Sequence, residues 1–423
     1  MVRNLCAAVA ASALAACAGD AGDPYLVSSS AARNAAPSTD DIPALVAGTT
    51  AFTADVYRLT SATQGNLFLS PHSISTALAM TWAGARSTTA SQLASALHFP
   101  AIDDARVHAA FNALDLALAS RAQAATSGTR PFRLVTANSI WGQTGKAFEP
   151  AFLDTLAENY GTGLRVLDFV ADPDGARGII NGWVDDRTDG KIQDLLAPET
   201  ITPDTRLVLT NAITFSAAWD SPFDPAATTS ASFASPSGPV SVPTLHQIAE
   251  YGHGTGADFT AVELPYDGDQ LAMDLIRPEL APGASGDPLA ALEASLDGAK
   301  LTAIVAAIQP GAVELSLPKF NFTAALGLND TLIALGAVDA FSPDADFSGM
   351  DGTRDLAISD VVHKAFVAID ETGTEAAAAT AVVVGDTSAP VTVPVAFDRP
   401  FLFLIRDRPT GEILFIGRVV DPR

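Results

Sequence analysis

The chain has 423 residues, of which 48% are hydrophobic and 17% charged, a composition that excludes an intrinsically disordered protein. Its 24 basic and 48 acidic residues give a formal net charge of -24. Because phosphates and sulfates are bound by clustered lysine and arginine, this balance argues against nucleic acid and heparin-type polyanions as partners.

The first 17 residues have the pattern of an export signal. Arg3 precedes a short apolar run, Leu5 to Ala16, which is too short to be a permanent membrane span. The run ends in Leu14-Ala15-Ala16-Cys17, which resembles the lipobox of bacterial lipoproteins. This resemblance implies that residues 1–16 are a signal peptide and that Cys17 carries a lipid anchor. A plain signal peptide with a coincidental cysteine is the alternative.

The remaining chain is predicted to be one domain on a tether. Cys6 and Cys17 are the only cysteines, so no disulfide framework can form after them. Residues 17–41 are small and polar without a period, and we expect a flexible tether that begins with the lipidated cysteine. Residues 42–423 are expected to form the domain. The anchor predicts an exported protein in the bacterial cell envelope, at the outer membrane or cell surface, or else an extracellular one.

Helical patterns dominate the first half of the domain. Asp41-Ile42-Pro43 predicts a helix start, and apolar residues follow it at helical spacing. Residues 66–69 predict a short strand, and Ser70-Pro71 predicts the start of a second helix. Further helices are predicted at 111–119, 151–159 and 178–186, and a further strand at 132–141.

Strand patterns dominate the second half. Strands are predicted at 207–215, 260–265, 271–277, 312–318, 365–369, 401–405 and 413–420, and helices at 289–296 and 324–335. Early helices and late strands indicate an α+β fold with mixed sheets rather than a regular βαβ alternation.

Six segments together resemble a known family. They are NLFLSPHSISTALAM (66–80), NGWVDDRTDGKI (181–192), LVLTNAITFSAAWDSPF (207–223), VELSLPKF (313–320), ISDVVHKAFVAIDETGTEAAAA (358–379) and FDRPFLFLIRDRPTGEILFIGRV (397–419). In this order they resemble the inhibitory members of the serpin family. The resemblance implies a serpin fold with three β-sheets, about eight or nine helices and an exposed reactive-centre loop. It further implies a monomeric protease inhibitor that is not an enzyme and needs no cofactor or metal.

The resemblance identifies a hinge, where the cleaved loop of such inhibitors enters the main sheet as a new strand. Its residues are Glu371, Gly373, Thr374, Glu375, Ala376, Ala377, Ala378 and Ala379. Because side chains alternate along a strand, Thr374 and every second residue after it would point into the core. Gly373 would supply backbone freedom at the pivot. An alanine run alone would otherwise predict a surface helix followed by a linker.

The family's usual spacing, counted from Glu371, places the scissile bond at Thr387–Ser388. Counting backward from Phe397 points instead to Ala389–Pro390, and a bond before proline is a poor protease substrate. The forward count is therefore preferred, with Val384 and Ser388 as alternatives.

The residues around this bond predict the target class. Residues 376–396 contain no Lys, Arg or aromatic side chain, which argues against a trypsin-like protease. Small and β-branched residues favour an elastase-like or subtilisin-like serine protease, with a cysteine protease as a further option.

Five polar or aromatic residues match positions that control opening of the sheet in the family. Ser70, Ser73, Asn211 and His363 match the shutter, and Trp219 matches the breach, where the loop first enters. We interpret His363 as a hydrogen-bonding latch rather than a catalytic base.

Other functions have weaker support. The sequence has no G-x-S-x-G or H-E-x-x-H motif. The glycine-rich stretch 252–256 lacks the Lys-Ser/Thr of a P-loop and is interpreted as a loop. An acidic cluster could suggest calcium, but a solvated turn is preferred; its members are Asp344, Asp346, Asp351 and Asp355.

A non-inhibitory serpin-fold binding or scaffold lipoprotein is the serious alternative, and the alanines at 376–379 favour inhibition over it.

Overall fold

The computed structural model describes residues 22–121, 132–374 and 392–423. The α-helices in these residues are α1 (Ile42–Thr60), α2 (Pro71–Trp82), α3 (Ser87–Ala96), α4 (Asp104–Ser120), α5 (Pro150–Tyr160), α6 (Pro173–Arg187), α7 (Pro288–Ser295), α8 (Gly298–Ala307), α9 (Asn329–Ala334) and α10 (Ser348–Asp351). The strands are β1 (Leu26–Val27), β2 (Leu67–Leu69), β3 (Arg133–Gln143), β4 (Leu164–Leu167), β5 (Leu207–Ala218), β6 (Thr229–Ser235), β7 (Gly238–Thr255), β8 (Phe259–Pro265), β9 (Leu271–Pro278), β10 (Gln309–Pro318), β11 (Phe320–Gly327), β12 (Asp360–Ile369), β13 (Gly373–Thr374), β14 (Val393–Ala396), β15 (Phe401–Asp407) and β16 (Ile413–Val419).

The α+β prediction is confirmed, with ten α-helices in the described residues where about eight or nine were expected. The two shortest, α9 and α10, are too short to show a helical period. The predicted helix at 324–335 is wrong in its first part, because residues 324–327 continue β11 and pair with β12. Within the described parts of the chain, no helix is both long and apolar enough to cross a bilayer.

The strands form two hydrogen-bonded networks. The first sheet has the order β1-β4-β3-β5-β13-β12-β11, and β5 also pairs directly with β12. The second network has the order β14-β10-β7-β8-β9-β15-β16-β2, with β6 paired to β7. The 18-residue strand β7 pairs with β6 and β10, and its last residues pair with β8. This one long strand therefore joins the second and third of the expected sheets.

The main core lies between the first sheet and the β9–β15–β16–β2 part of the second network. Phe68 of β2 stacks on Phe403 and Phe415, with ring centroids 5.6 and 4.9 Å away, and meets Phe322 of the first sheet edge-on. A smaller apolar cluster lies under α6, on the opposite face of the first sheet. The part of the first sheet under α6 is thus covered on both faces, which excludes water from its hydrogen bonds, whereas β11 exposes alternate residues.

The glycine-rich stretch 252–256, interpreted above as a loop, lies mostly within β7. A Cβ at Gly254 would lie 2.6 Å from the carbonyl oxygen of Ala307, and one at Gly252 would lie 2.5 Å from Ile308 Cγ2. These glycines let the strand approach the end of α8 closely, so their role is packing rather than a turn.

The acidic cluster is held by cations of the protein itself. Asp346 pairs with Arg354 at 2.7 Å, and Asp351 pairs with Lys146 at 2.8 Å. Among the described residues, no group of three histidine, cysteine or acidic side chains could hold a metal ion. The calcium alternative therefore finds no support in this part of the chain.

The expected flexible tether over residues 17–41 is wrong for its described part. Residues 22–34, which we call the N-terminal strap, lie along the outer edge of the first sheet. Leu26 and Val27 pair antiparallel with β4, and the Val166 N–H donates to the Tyr25 carbonyl at 2.9 Å. Asp23 forms an ion pair of 2.8 Å with the buried Arg165. Composition alone could not show this, because the partner edge is more than a hundred residues away.

We predict that Gly163→Ala loosens the N-terminal strap. A Cβ at Gly163 would lie 2.1 Å from the carbonyl oxygen of Val27, which is backbone and cannot rotate away. The expected result is faster proteolytic cleavage within residues 22–34, read by mass spectrometry of timed digests. Gly178→Ala is the matched control, since no atom lies within 4 Å of its new Cβ. Equal cleavage rates in the two variants would contradict the packing described.

Candidate functional site

The described start of the hinge lies inside the first sheet. Gly373 pairs with Ala218, and Thr374 pairs with Ala217 on one side and Ile369 on the other. Thr374 is 1% exposed, and its hydroxyl lies 2.6 Å from the hydroxyl of Tyr266. Thr374 therefore faces inward, in the phase predicted for an inserted strand.

Gly373 has a steric role in addition to the predicted freedom at the pivot. A Cβ at this position would lie 2.0 Å from the carbonyl oxygen of Ala217 and 2.8 Å from the Cα of Ala218. Any larger residue would push the hinge away from β5.

Trp219, the predicted breach residue, holds the turn that leads into the hinge. Its backbone N–H donates to the Thr372 carbonyl at 2.9 Å, and its indole N–H donates to the Asp370 carbonyl at 3.0 Å. The buried indole stacks on Tyr266 with ring centroids 4.7 Å apart. Tyr266 thus touches both the tryptophan and Thr374, and sequence reasoning missed it because its neighbours come from distant segments.

Glu371 is tied to two residues that sequence reasoning also missed as site residues. Lys319 Nζ donates to one carboxylate oxygen at 2.7 Å, and the Thr228 hydroxyl donates to the other at 2.8 Å. Partial burial acts to raise the pKa of Glu371, but these hydrogen bonds outweigh it and lower the pKa below its usual value. The carboxylate is therefore charged at neutral pH and fixes the hinge turn against β10 and β6.

The predicted shutter residues come together beneath the first sheet. Ser70 caps α2 by accepting a hydrogen bond from the Ser73 N–H at 3.2 Å. The amide of Asn211 donates to the Ser73 hydroxyl at 2.6 Å, and its carbonyl oxygen contacts His363 Nδ1. Asn138 completes the cluster, accepting from Asn211 at 2.7 Å. Asn138 directly opposes Asn211 on the neighbouring strand, a register that the sequence does not reveal.

His363 is a neutral hydrogen-bonding residue in this cluster. Its Nε2 accepts a hydrogen bond from the Ser70 N–H at 3.1 Å, so the proton sits on Nδ1 and is donated to the Asn211 carbonyl oxygen. Complete burial lowers the pKa of His363 to about 3. This geometry supports a latch and gives the imidazole no free nitrogen for catalysis.

The latch crosses the line along which the first sheet would have to open. Below the hinge, β5 and β12 pair directly, from Val208–Asp360 to Thr214–Phe366. Asn211 and His363 are opposite partners in this ladder. We call this line the β5–β12 seam. The sheet is therefore closed along the seam and open only at its top, where β13 lies between the two strands.

The remaining predicted site residues lie outside the described residues. They are the lipidation residue Cys17, the hinge residues Glu375, Ala376, Ala377, Ala378 and Ala379, and the reactive bond residues Thr387 and Ser388.

Comparisons with known proteins agree on the family. Residues 47–422 match the family described as serpin (serine protease inhibitor). An uncharacterized serpin-like protein of Thermococcus kodakarensis is 39% identical over 376 residues, covering 88% of this chain and 84% of the relative. The leukocyte elastase inhibitor of Bos taurus is 36% identical over 362 residues, covering 85% of this chain and 93% of the relative.

The fold is shared with solved structures. The native state of tengpin, a thermophilic serpin, superposes with a TM-score of 0.80 at 27% sequence identity, covering 92% of this chain and 97% of tengpin. The sequence matches, the shared fold and the hinge geometry lead to one conclusion: this chain belongs to the serpin family.

Proposed function

We propose that this serpin is an inhibitor that traps a serine protease as a covalent acyl-enzyme. The observation that carries the proposal is the hinge start, Gly373–Thr374, which already occupies the top of a sheet that is closed below it. A strand that continues from Thr374 would follow the β5–β12 seam.

The chemistry is supplied by the protease, and the serpin supplies the trap. The protease serine attacks the carbonyl carbon of Thr387, an ester forms, and the amino group of Ser388 leaves with the C-terminal part of the chain. The freed loop then inserts between β5 and β12 and carries the acylated protease with it. Hydrolysis of the ester stalls because the displacement distorts the active site of the protease before water attacks the ester.

Insertion is favourable because it adds hydrogen bonds. The closed seam is one ladder, whereas a strand inserted along it would pair with both β5 and β12. The cost is the opening of the seam, including the bond between His363 and Asn211. Small residues at 376–379 lower the steric part of that cost.

We infer an elastase-like or subtilisin-like target, with a cysteine protease as a further option. Residues 376–396 offer no basic or aromatic side chain to a specificity pocket. Relatives described as leukocyte elastase inhibitors, from cattle and human, are 36% and 37% identical to this chain. The shared family and the small and β-branched residues of the stretch 376–396 support this class.

We further propose that the protein is a monomer anchored by lipid at Cys17. The support is the lipobox-like sequence and the absence of any other thiol after residue 17. The anchor would hold the inhibitor at the bacterial outer membrane or cell surface.

Incubation with pancreatic elastase or subtilisin should give a complex that survives a denaturing gel. Mass spectrometry should find a released C-terminal peptide that begins at Ser388. Clean cleavage that leaves the protease active would contradict inhibition and favour a non-inhibitory binding or scaffold protein.

Thr374→Arg tests the mechanism within the same assay. The arginine would be buried above the β5–β12 seam, between Ala217 and Ile369 and beside Tyr266, so insertion should slow and the variant should become a substrate. Thr374→Ser keeps the hydroxyl and serves as the control, with inhibition close to that of the parent. An arginine variant that inhibits as well as the parent would show that the strand phase is wrong.

The latch makes thermal stability depend on pH. The folded protein keeps His363 neutral down to about pH 3, whereas the unfolded chain takes up a proton near pH 6.5. Above pH 6.5 this difference vanishes, and between pH 6.5 and 3 acidification destabilises the fold by up to ~1.4 kcal/mol per pH unit. As the pH is lowered from 6.5 towards 3, the melting temperature of the parent should therefore fall more steeply than that of His363→Asn. Parallel curves would contradict a buried neutral imidazole.

The anchor is tested by Cys17→Ser. The parent, expressed in a bacterium with lipoprotein processing, should fractionate with membranes and incorporate labelled fatty acid. The variant should lose both properties while keeping the same melting temperature, since the substitution changes no residue of the described domain. Membrane association of the serine variant would show that another feature holds the protein there.

A further inference from the structure

The N-terminal strap starts at the end of the first sheet that lies farthest from the hinge. Leu26 pairs with Arg165, Arg165 pairs with Trp141, and Trp141 pairs with Val208 at the lower end of β5. The hinge residue Gly373 pairs with Ala218, at the upper end of the same strand. Val208 and Ala218 are ten residues apart on β5. At about 3.3 Å per residue, the two ends of the strand are roughly 33 Å apart.

Little chain separates the proposed anchor from this lower end. Five Cα–Cα steps lead from Cys17 to Gly22, where the described structure begins. Even fully extended, they span at most about 18 Å. The tether is thus about half as long as the distance between the two ends of the sheet.

We propose that the lower end of the first sheet faces the lipid surface and that the hinge end, at Gly373, faces away from it. This inference rests on the lipid anchor proposed at Cys17. The opposite orientation would require the tether to run the length of the sheet, which it is too short to do. Proteases arriving from the solvent would therefore reach the hinge end before the end that faces the lipid.

The charges at the lower end indicate that it lies near the lipid surface without binding to the headgroups. Three exposed carboxylates, Asp168, Asp172 and Asp174, surround the start of α6, and Arg177 lies 3.6 Å from Asp174. Three negative side chains and one positive side chain leave a formal charge of -2 at this end. Hydrogen bonds from Gln143 and a backbone N–H lower the pKa of Asp168, so its charge persists in mild acid. Anionic headgroups would repel this end. The short tether alone holds it, and the orientation should survive high salt.

The test uses the absence of other thiols. After signal removal and lipidation of Cys17, a single introduced cysteine is the one site for a thiol-reactive fluorophore. Asp174→Cys labels the lower end. Ile248→Cys labels the hinge end, and Ile248 is exposed. Its neighbour Gln247 donates a hydrogen bond to the carbonyl of Pro222. The next residue, Phe223, donates its N–H to the carbonyl of the hinge residue Glu371. The purified, full-length lipidated protein is reconstituted in phosphatidylcholine vesicles that carry a headgroup nitroxide, a short-range quencher.

We expect strong quenching of the label at position 174 and weak quenching at position 248, with the same difference at high salt. Inserting about 20 Gly/Ser residues between residues 21 and 22 should reduce the difference, since such a linker reaches roughly 25 Å on average. Equal quenching in the parent tether, or stronger quenching at position 248, overturns the orientation alone. A parent chain that does not float with vesicles overturns the lipid anchor and the orientation with it.

Discussion

The β5–β12 seam is the interaction on which the rest of this structure depends. Below the hinge it is a parallel ladder from Val208–Asp360 to Thr214–Phe366, so β5 and β12 already pair with each other where an inserted strand would have to lie. Each of its hydrogen bonds contributes about 0.5–1.5 kcal/mol net, and all of them must be exchanged before a new strand can lie there. The tendency to insert therefore comes from the additional ladder that an inserted strand would form, while the closed seam supplies the barrier.

The buried hydrogen-bonded cluster under the β5–β12 seam suits a barrier that keeps the sheet closed before cleavage and lets it open afterwards. Ser73, Asn138, Asn211 and His363 are joined by hydrogen bonds without an ion pair. A buried charge would resist separation far more strongly, because each ion would lose its partner in a medium of low polarity. Neutral groups can exchange partners at lower cost. The low pKa of His363 thus belongs to the same arrangement as the direct pairing of β5 with β12.

Local sequence predicted those features whose cause is local. Ser70-Pro71 begins α2 and Asp41 precedes α1, because helix starts depend on nearby residues. Residues 324–327 were predicted as helix, since alanine and leucine favour it, but pairing with β12 overrides that preference. The role of Gly254 depends on the approach of α8, and that of Asn138 on the strand register. Such facts join segments far apart in the chain, and a single sequence does not contain them explicitly.

The N-terminal strap shows how one buried charge can hold an otherwise irregular segment against the edge of a sheet. Arg165 is 1% exposed and lies over the ring of Trp183 at 4.4 Å, so burial works against its charge. Asp23 supplies a carboxylate at 2.8 Å. Releasing the strap would take this carboxylate away from a buried guanidinium, a cost of several kcal/mol that offsets part of the entropy gained by the released residues. The described structure begins at residue 22, so the distance available to an anchor at Cys17 is counted from there rather than from residue 41.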